Sequence, residues 1–429
     1  MTKKDAIWYK LVALMLSLVV LLPILAACGG GGKETPTPIA TLTPTTGTTS
    51  TTTPTATPGT LQPTATPNLE PVKIGIIQSW SGPLAMSGML SDSVSNLMEW
   101  YVQKQGGILG GRPVKFIKYD NGGTVADSGA GATKLIKEDN VAAITEGGAA
   151  DQTEFAVADV TDPLKVPFIH FGTVNALLSN YKWTATTISV QNERADEFSN
   201  FILNTLKPKT IGILAQEMAD GRVIWDLMKP KLNAAGVNIV YEDWVQPGTM
   251  DLSSNLTKIK FLKPDVLFTY MVEDTFVTMF KQINELGGWG GIQVFCGNEH
   301  ANTANVLKQP TAQGAYSLAA YMPGSSDPGV VAYEHAWTDR VAEDPGFAQK
   351  YIPAQLNVYA YYWNCFIIAI QAIKVAGSDD SAKVAEALRS GKVEADTAFG
   401  HMHIQTDGTA GVKDHIVQIT AGGKLVVVQ

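Results

Sequence analysis

Few residues of this chain combine the type and the spacing that chemistry requires. The clearest case is Leu25-Ala26-Ala27-Cys28, in which small residues stand before a cysteine and a run of glycines follows it. This pattern matches the bacterial lipobox, where cleavage before the cysteine leaves its thiol to be acylated. We therefore predict that Cys28 carries a lipid and anchors the protein to the outer face of the cytoplasmic membrane. A simple secretory signal with a chance cysteine is the alternative, and it would also place the protein outside the cytoplasm.

The residues that flank this motif are typical of an exported protein. Three lysines precede an apolar run from Leu11 to Leu25, which is shorter than the about 20 residues that a membrane-spanning helix needs. We expect a signal peptide over residues 1–27. Residues 28–70 hold little but Thr, Pro, Gly and Ala. Such a segment cannot recover its ordering entropy by burying a core, so we predict a disordered spacer there.

Residues for catalysis or metal binding are harder to find. The sequence lacks the glycine-rich nucleotide and phosphate motifs, the nucleophile elbow and the zinc-protease helix. His401 and His403 alternate along a predicted strand and share one face, with His415 nearby. A metal site would need more ligands, so we interpret them as exposed strand residues. We predict no enzyme activity, no metal and no cofactor, and an extracellular hydrolase on an α/β scaffold is the alternative from another class.

From Val72 onward, short β-branched runs alternate with segments of helical spacing. The predicted strands cover residues 73–77, 114–117, 141–144, 167–171, 210–214, 239–241, 265–269 and 292–295. The predicted helices cover residues 89–104, 131–137, 197–206, 223–235 and 252–262. This alternation implies right-handed crossovers and parallel sheets with helices on both faces. The sequence thus predicts an α/β protein with two doubly wound parallel-sheet lobes, which bind ligands at the carboxyl ends of their strands.

Length and composition agree with that architecture. The 429 residues include 32 Lys and Arg against 40 Asp and Glu, a formal net charge of -8. The length allows two or three domains with cores of their own. The acidic balance argues against nucleic acid as a partner. The 3 cysteines cannot form a disulfide scaffold.

Several motifs of the folded part occur together in one known family. They are Lys73-Ile74-Gly75-Ile76-Ile77, Ser81-Gly82-Pro83, Gly110-Gly111-Arg112-Pro113-Val114, Tyr119-Asp120, Val166-Pro167-Phe168-Ile169, Asn357-Val358-Tyr359-Ala360-Tyr361 and Asp407-Gly408. With them, the chain from Val72 to Gln429 closely resembles the branched-chain amino-acid binding proteins of ABC importers.

The resemblance implies a type I periplasmic binding fold, whose two lobes are joined by a three-strand hinge. We place the three crossings near Val190, Leu318 and Asp396. Lobe 1 then comprises residues 71–189 and 318–395, and lobe 2 comprises residues 190–317 and 396–429.

The resemblance also implies where a ligand carboxylate would be held. In relatives, hydroxyls and backbone N–H groups of the loops after the third and fourth strands hold it. In this sequence Ala149 and Ala150 stand where hydroxyls are expected, and the next loop offers Gly172 and Thr173. Glu299 resembles the family's strand-end carboxylate, which pairs with a ligand ammonium; an ordinary exposed loop carboxylate is the alternative.

Three further residues are candidates for contact with the ligand. Trp80 could cover its apolar part or pack in the core beneath the first helix. Tyr270 ends a predicted strand at the cleft or packs there, and Gln355 precedes a late helix. Two cysteines, Cys296 and Cys365, fall in different lobes, so we expect them to be buried or free thiols.

The implied function is that of a lipid-anchored receptor for a small polar ligand. Such a protein closes around an amino acid or related solute and presents the closed form to ABC permease subunits in the membrane. The family default is a monomer. A sensor of amides, urea or aromatic acids on the same fold is the alternative.

Overall fold

The computed structural model describes residues 69–82, 84–148, 151–246, 248–350, 356–412 and 414–429. The predicted signal peptide, Cys28 and nearly all of the predicted spacer lie outside these residues. Residues 67–429 form one compact unit. In the described part of the chain, no helix has both the length and the apolar character that crossing a bilayer requires.

The first sheet has five parallel strands in the order β2-β1-β3-β4-β5. The strands are β1 (Val72–Gln78), β2 (Val114–Asp120), β3 (Ile144–Thr145), β4 (Phe168–His170) and β5 (Thr184–Thr186). The helices between them are α1 (Ala85–Lys104), α2 (Val125–Lys137), α3 (Asp151–Thr161) and α4 (Asn175–Asn180). The parallel βα alternation predicted from the sequence is confirmed. Strand β5 was not predicted, because it is only three residues long.

The second sheet has seven strands in the order β14-β13-β10-β9-β8-β6-β7. Its strands are β6 (Thr210–Gln216), β7 (Asn238–Val245), β8 (Val266–Tyr270), β9 (Gln293–Cys296), β10 (Tyr316–Ala319), β13 (His415–Ile419) and β14 (Leu425–Val427). Its helices are α5 (Gln191–Phe201), α6 (Ala219–Ala234), α7 (Ser253–Leu262), α8 (Glu273–Glu285) and α9 (Ala304–Leu307). Strands β6 to β10 pair in parallel, and β13 and β14 are antiparallel additions.

The late helices cover the first sheet. They are α10 (Pro328–Glu343), α11 (Pro345–Ala348), α12 (Leu356–Ala376) and α13 (Ser381–Leu388). Trp337, Tyr359 and Trp363 from these helices lie in the same core as Val72 and Leu97. Helix α12 is apolar on most of its surface because it packs between α1 and the sheet.

The chain passes three times between the apolar core beside the first sheet, called the first core, and the apolar core beside the second sheet, called the second core. Ile188 packs in the first core and Ala195 in the second, and the chain returns between Leu318 and Ala320. The crossings near Val190 and Leu318 remain our proposal for the hinge, and these changes of core support it.

The third crossing, predicted near Asp396, needs correction. Strands β11 (Glu394–Thr397) and β12 (Gly400–His403) form a separate two-stranded sheet. Met402 and Ala410 still pack in the first core, and the next core residue of the second lobe is Ile416. The boundary was placed too early, because the apolar side chains of this hairpin are buried against the late helices.

Candidate functional site

A cavity of about 390 Å³ lies between the two lobes. Both lobes contribute to its walls, mostly with residues that follow strands β4, β8 and β9 or begin helices. The lining residues are Leu90, Phe171, Ile188, Arg194, Met218, Asp220, Tyr270, Glu273, Asn298, Glu299, His300, Thr303, Asn357, Val358, Tyr361 and Tyr362. A second cavity of about 260 Å³ shares Glu299, Asn357 and Tyr361 with it. The location agrees with the rule that parallel sheets bind ligands at the carboxyl ends of their strands.

A buried arginine holds two carboxylates at the floor of this cavity. Arg194 on α5 is only 3% exposed. Its Nη2 donates to Glu299 Oε1 at 3.0 Å, and its Nε donates to Asp414 Oδ2 at 3.0 Å. Burial acts to lower the pKa of Arg194, but the charges of Asp414 and Glu299 outweigh that effect and keep the guanidinium protonated.

The two carboxylates respond differently to the same environment. Burial acts to raise the pKa of Glu299, but the Arg194 charge and a hydrogen bond from Tyr361 hold it below its ordinary value. Burial raises the pKa of Asp414 to about 6 against the Arg194 charge, and Glu299 adds to the rise. Near neutral pH, both carboxylates are therefore largely ionised around one guanidinium.

Two tyrosines bring hydroxyl groups to the cavity wall. The Tyr270 hydroxyl donates to Asp220 Oδ2 at 2.5 Å. Tyr361 comes from α12 of the first lobe and lines the cavity together with Glu299 of the second. Its ring lies edge-on to Phe171, with 5.9 Å between centroids. Tyr361 therefore links an aromatic wall on one lobe to the charged floor on the other.

The loop after β4 has its polar groups engaged within the protein. The N–H of Gly172 donates to His170 Nδ1 at 2.9 Å, and Thr186 Oγ1 donates to the carbonyl of Gly172 at 2.9 Å. The carboxylate of Glu154, itself 3% exposed, packs directly against Gly172. Burial lowers the pKa of His170 to about 3, so this imidazole is neutral and adds no positive charge.

A second buried carboxyl follows β3. Glu146 has a left-handed backbone with φ of 78° and is fully buried. Ser91 Oγ donates to its Oε1 at 2.9 Å, and Gln78 Nε2 donates to its Oε2 at 3.2 Å. Burial raises the pKa of Glu146 to about 8, against these two hydrogen bonds and the charge of Lys118. The group is therefore mostly protonated at neutral pH.

The structure brings only part of the predicted site together. Tyr270 and Glu299 line the cavity. Trp80 packs against the first core, and its backbone N–H donates to Asp120 Oδ1 at 2.9 Å. Gly172 and Thr173 lie beside the cavity without lining it, and the carbonyl of Thr173 accepts from the N–H of Gln191. Three predicted residues lie outside the described residues: Ala149, Ala150 and Gln355.

The most important residue that the sequence reasoning missed is Arg194. It stands four residues before Phe198 and seven before Phe201, so it occupies the buried face of α5. A charged residue on such a face must find a buried partner, and that signal was available. Asp414 could not have been named as the partner, because it lies far away in the sequence. Glu299, which we expect to pair with a ligand ammonium, has its Oε1 paired with Arg194 in this structure.

The structure also locates the histidines and cysteines that the sequence analysis singled out. His401 Nδ1 lies 2.8 Å from Asp396 Oδ1, and His403 is exposed on the same face of β12. Within the described ranges, no group of three or more suitable side chains could hold a metal ion. Cys296 and Cys365 are buried in different cores, as expected.

Comparison with known proteins gives a consistent result. A family model described as "Periplasmic binding protein" matches residues 71–424. A Leu/Ile/Val-binding protein of Rhizobium johnstonii is 24% identical over 375 residues, which cover 83% of this chain and 94% of that protein.

Solved structures show the same fold. An ABC transporter substrate-binding protein from Sphaerobacter thermophilus has a TM-score of 0.71 at 20% identity, covering 84% of this chain and 97% of that one. A solute-binding protein of Rhodopseudomonas palustris in complex with 3,4-dihydroxybenzoic acid has a TM-score of 0.65 at 20% identity, covering 83% and 95%.

The buried arginine yields a stability prediction. Arg194→Met should lower the free energy of unfolding by about 3–5 kcal/mol at pH 7, because Asp414 would remain buried, and Glu299 partly buried, without a counter-charge. The loss should shrink as the pH falls towards 5, since protonation would neutralise both carboxylates in the fold. Arg222→Met is the matched control, because the Arg222–Glu217 pair is more than one-third exposed and is worth about 1 kcal/mol or less. Equal effects of the two substitutions in urea unfolding would contradict this account.

Glu146 yields a prediction about pH. Its folded-state pKa of about 8 exceeds the ordinary 4.5, so between these values the unfolded chain releases a proton that the folded protein keeps. Stability of the natural protein should therefore fall as pH rises through this window, by up to about 1.4 kcal/mol per pH unit from this group. Glu146→Gln should remove that slope, so its stability relative to the natural protein should improve from pH 5 to pH 8. Glu138→Gln, at an exposed position, should show a pH-independent difference. A flat difference for Glu146→Gln in urea unfolding would disprove the buried-acid assignment.

Proposed function

The chain belongs to the periplasmic binding protein family, and on that basis we propose that it is the extracytoplasmic solute-binding protein of an ABC importer. It binds a small organic solute between its lobes and delivers it to permease subunits. The observation that carries this proposal is the interlobe cavity of about 390 Å³ at the strand ends, a size typical of small-molecule sites. It acts by binding and catalyses no reaction.

Hinge closure is the mechanism that such a site supports. Phe171, Tyr361 and Tyr362 come from the first lobe, and Tyr270 and Glu299 come from the second. A solute that touches both walls makes its full set of contacts only when the lobes are close together. Since a ligand shifts an equilibrium only through its differential contacts, the bound solute favours the closed form that a permease would recognise.

The names of the relatives favour uptake over the sensing alternative. The proteins from Sphaerobacter thermophilus and Rhodopseudomonas palustris are both described as components of ABC transporters. One relative is named for binding branched-chain amino acids and another was solved with an aromatic acid. The solutes to be tested therefore include amino acids, aromatic acids, amides and amines.

From the lipobox we propose, in addition, that the protein is anchored to the membrane by a lipid. Acylation of Cys28 would hold the protein at the outer face of the cytoplasmic membrane, and the Thr- and Pro-rich residues 28–70 would serve as a spacer. The anchored protein, acting as a monomer, would stay close to its permease.

Solute binding is tested by thermal denaturation of the purified protein after unfolding and refolding, which strips ligand carried from the cell. A true ligand at about 100 times its dissociation constant should add about 2.7 kcal/mol to the free energy of unfolding. Thr303→Trp should abolish the shift, because Thr303 lines the cavity. Thr257→Trp, at an exposed position on α7, should leave it intact. A shift that survives Thr303→Trp unchanged would place binding elsewhere.

The lipid anchor is tested by cell fractionation. The natural protein should pellet with membranes, and Cys28→Ala should release it to the soluble fraction or leave its signal peptide uncleaved. Lys33→Ala, a change in the spacer, should stay with the membrane fraction. A membrane-bound Cys28→Ala protein with a cleaved signal peptide would refute acylation at this residue.

A further inference from the structure

The charges around the interlobe cavity define a class of solute, and we infer that the ligand is an organic amine, bound as a cation, with an apolar or aromatic body and no carboxylate. This inference rests on the proposed solute-binding function and narrows it. Three groups of observations carry the argument: the charge of the cavity, its aromatic walls and the engaged donor beside it.

The charge of the described lining is negative. Asp220, Glu273 and Glu299 contribute carboxylates, and Arg194 is the only lysine or arginine among the residues named for the cavity. The Arg194 guanidinium is already shared between Glu299 and Asp414. A cationic ligand would be attracted to this lining and an anionic one repelled, and partial exclusion of water strengthens both effects.

The aromatic walls suit a cation joined to an apolar body. Phe171, Tyr270, Tyr361 and Tyr362 all line the cavity, together with Leu90, Ile188 and Val358. The face of an aromatic ring attracts an ammonium group, and the attraction grows when water is excluded. The aliphatic side chains offer contact to the rest of the ligand.

The loop after β4, in the first lobe, is unfavourable for a ligand carboxylate. The N–H of Gly172 is committed to His170, and the Glu154 carboxylate packs against the same glycine. His170 is buried and neutral. A ligand carboxylate at this loop would find the N–H of Gly172 already engaged and the space beside it filled by Glu154, so a zwitterion or acid would gain little there.

Two matched sets of solutes test the inference on the stripped protein by calorimetric titration. The first set is 3-methylbutylamine, leucine and 4-methylpentanoate, and the second is phenethylamine, phenylalanine and 3-phenylpropanoate. Within each set the solutes share the same apolar group and differ in whether they carry an ammonium group, a carboxylate or both. In at least one set the amine should bind about tenfold or more tightly than the amino acid, and the acid should bind most weakly.

Other results separate the two proposals. If solutes bind but in neither set the amine binds about tenfold or more tightly than the amino acid, the inference is overturned while the solute-binding function stands. If no member of either set binds, the inference is also overturned, and the wider solute panel decides whether the binding function survives.

Charge-neutral variants test the physical basis. Glu273→Gln should weaken amine binding by about tenfold, the effect of losing a charged partner. Glu285→Gln on the same helix α8 is exposed and should leave the affinity unchanged. If Glu273→Gln and Asp220→Asn both bind the amine as tightly as the natural protein does, the electrostatic argument is refuted.

Discussion

The arrangement of the site depends on one buried guanidinium. Moving Arg194 out of water is costly, and the cost is offset only because Glu299 and Asp414 meet it at hydrogen-bond distance. These three residues stand close to the three places where the chain changes lobes. Arg194 follows the first crossing, Asp414 belongs to the third, and Glu299 precedes the strand β10 that leads into the second. One ion cluster thus fixes the segments that form the floor of the cavity.

The rest of the cavity follows from this floor. Glu299 is held by Arg194 and lines the cavity together with Tyr361, which belongs to the other lobe. Tyr361 and Phe171 pack edge to face, so an aromatic wall lies beside a charged surface. A second hinge contact, from Ser189 Oγ to the carbonyl of Val412 at 3.1 Å, joins the first crossing to the third. The protein therefore presents an apolar wall and an acidic floor, which together favour a solute with a positive charge and an apolar body.

The sequence predicted the local elements better than the site. Runs such as Thr210-Ile211-Gly212-Ile213-Leu214 form strands because β-branched side chains suit a sheet covered on both faces. The hairpin of β11 and β12 carries no such run, and its place depends on packing against distant helices. Tyr270 could be located because it ends a predicted parallel strand. The pairing of Arg194 with Asp414 spans more than half of the folded chain, and nothing local in the sequence encodes it.

The most direct test of the central claim is a crystal structure of the protein with a solute that shifts its thermal denaturation. The account predicts the solute between the lobes, with Phe171 or Tyr361 against its apolar part and a polar group within hydrogen-bond distance of Glu299 or Asn298. A solute bound outside this cavity, with the space between the lobes empty at saturation, would contradict it.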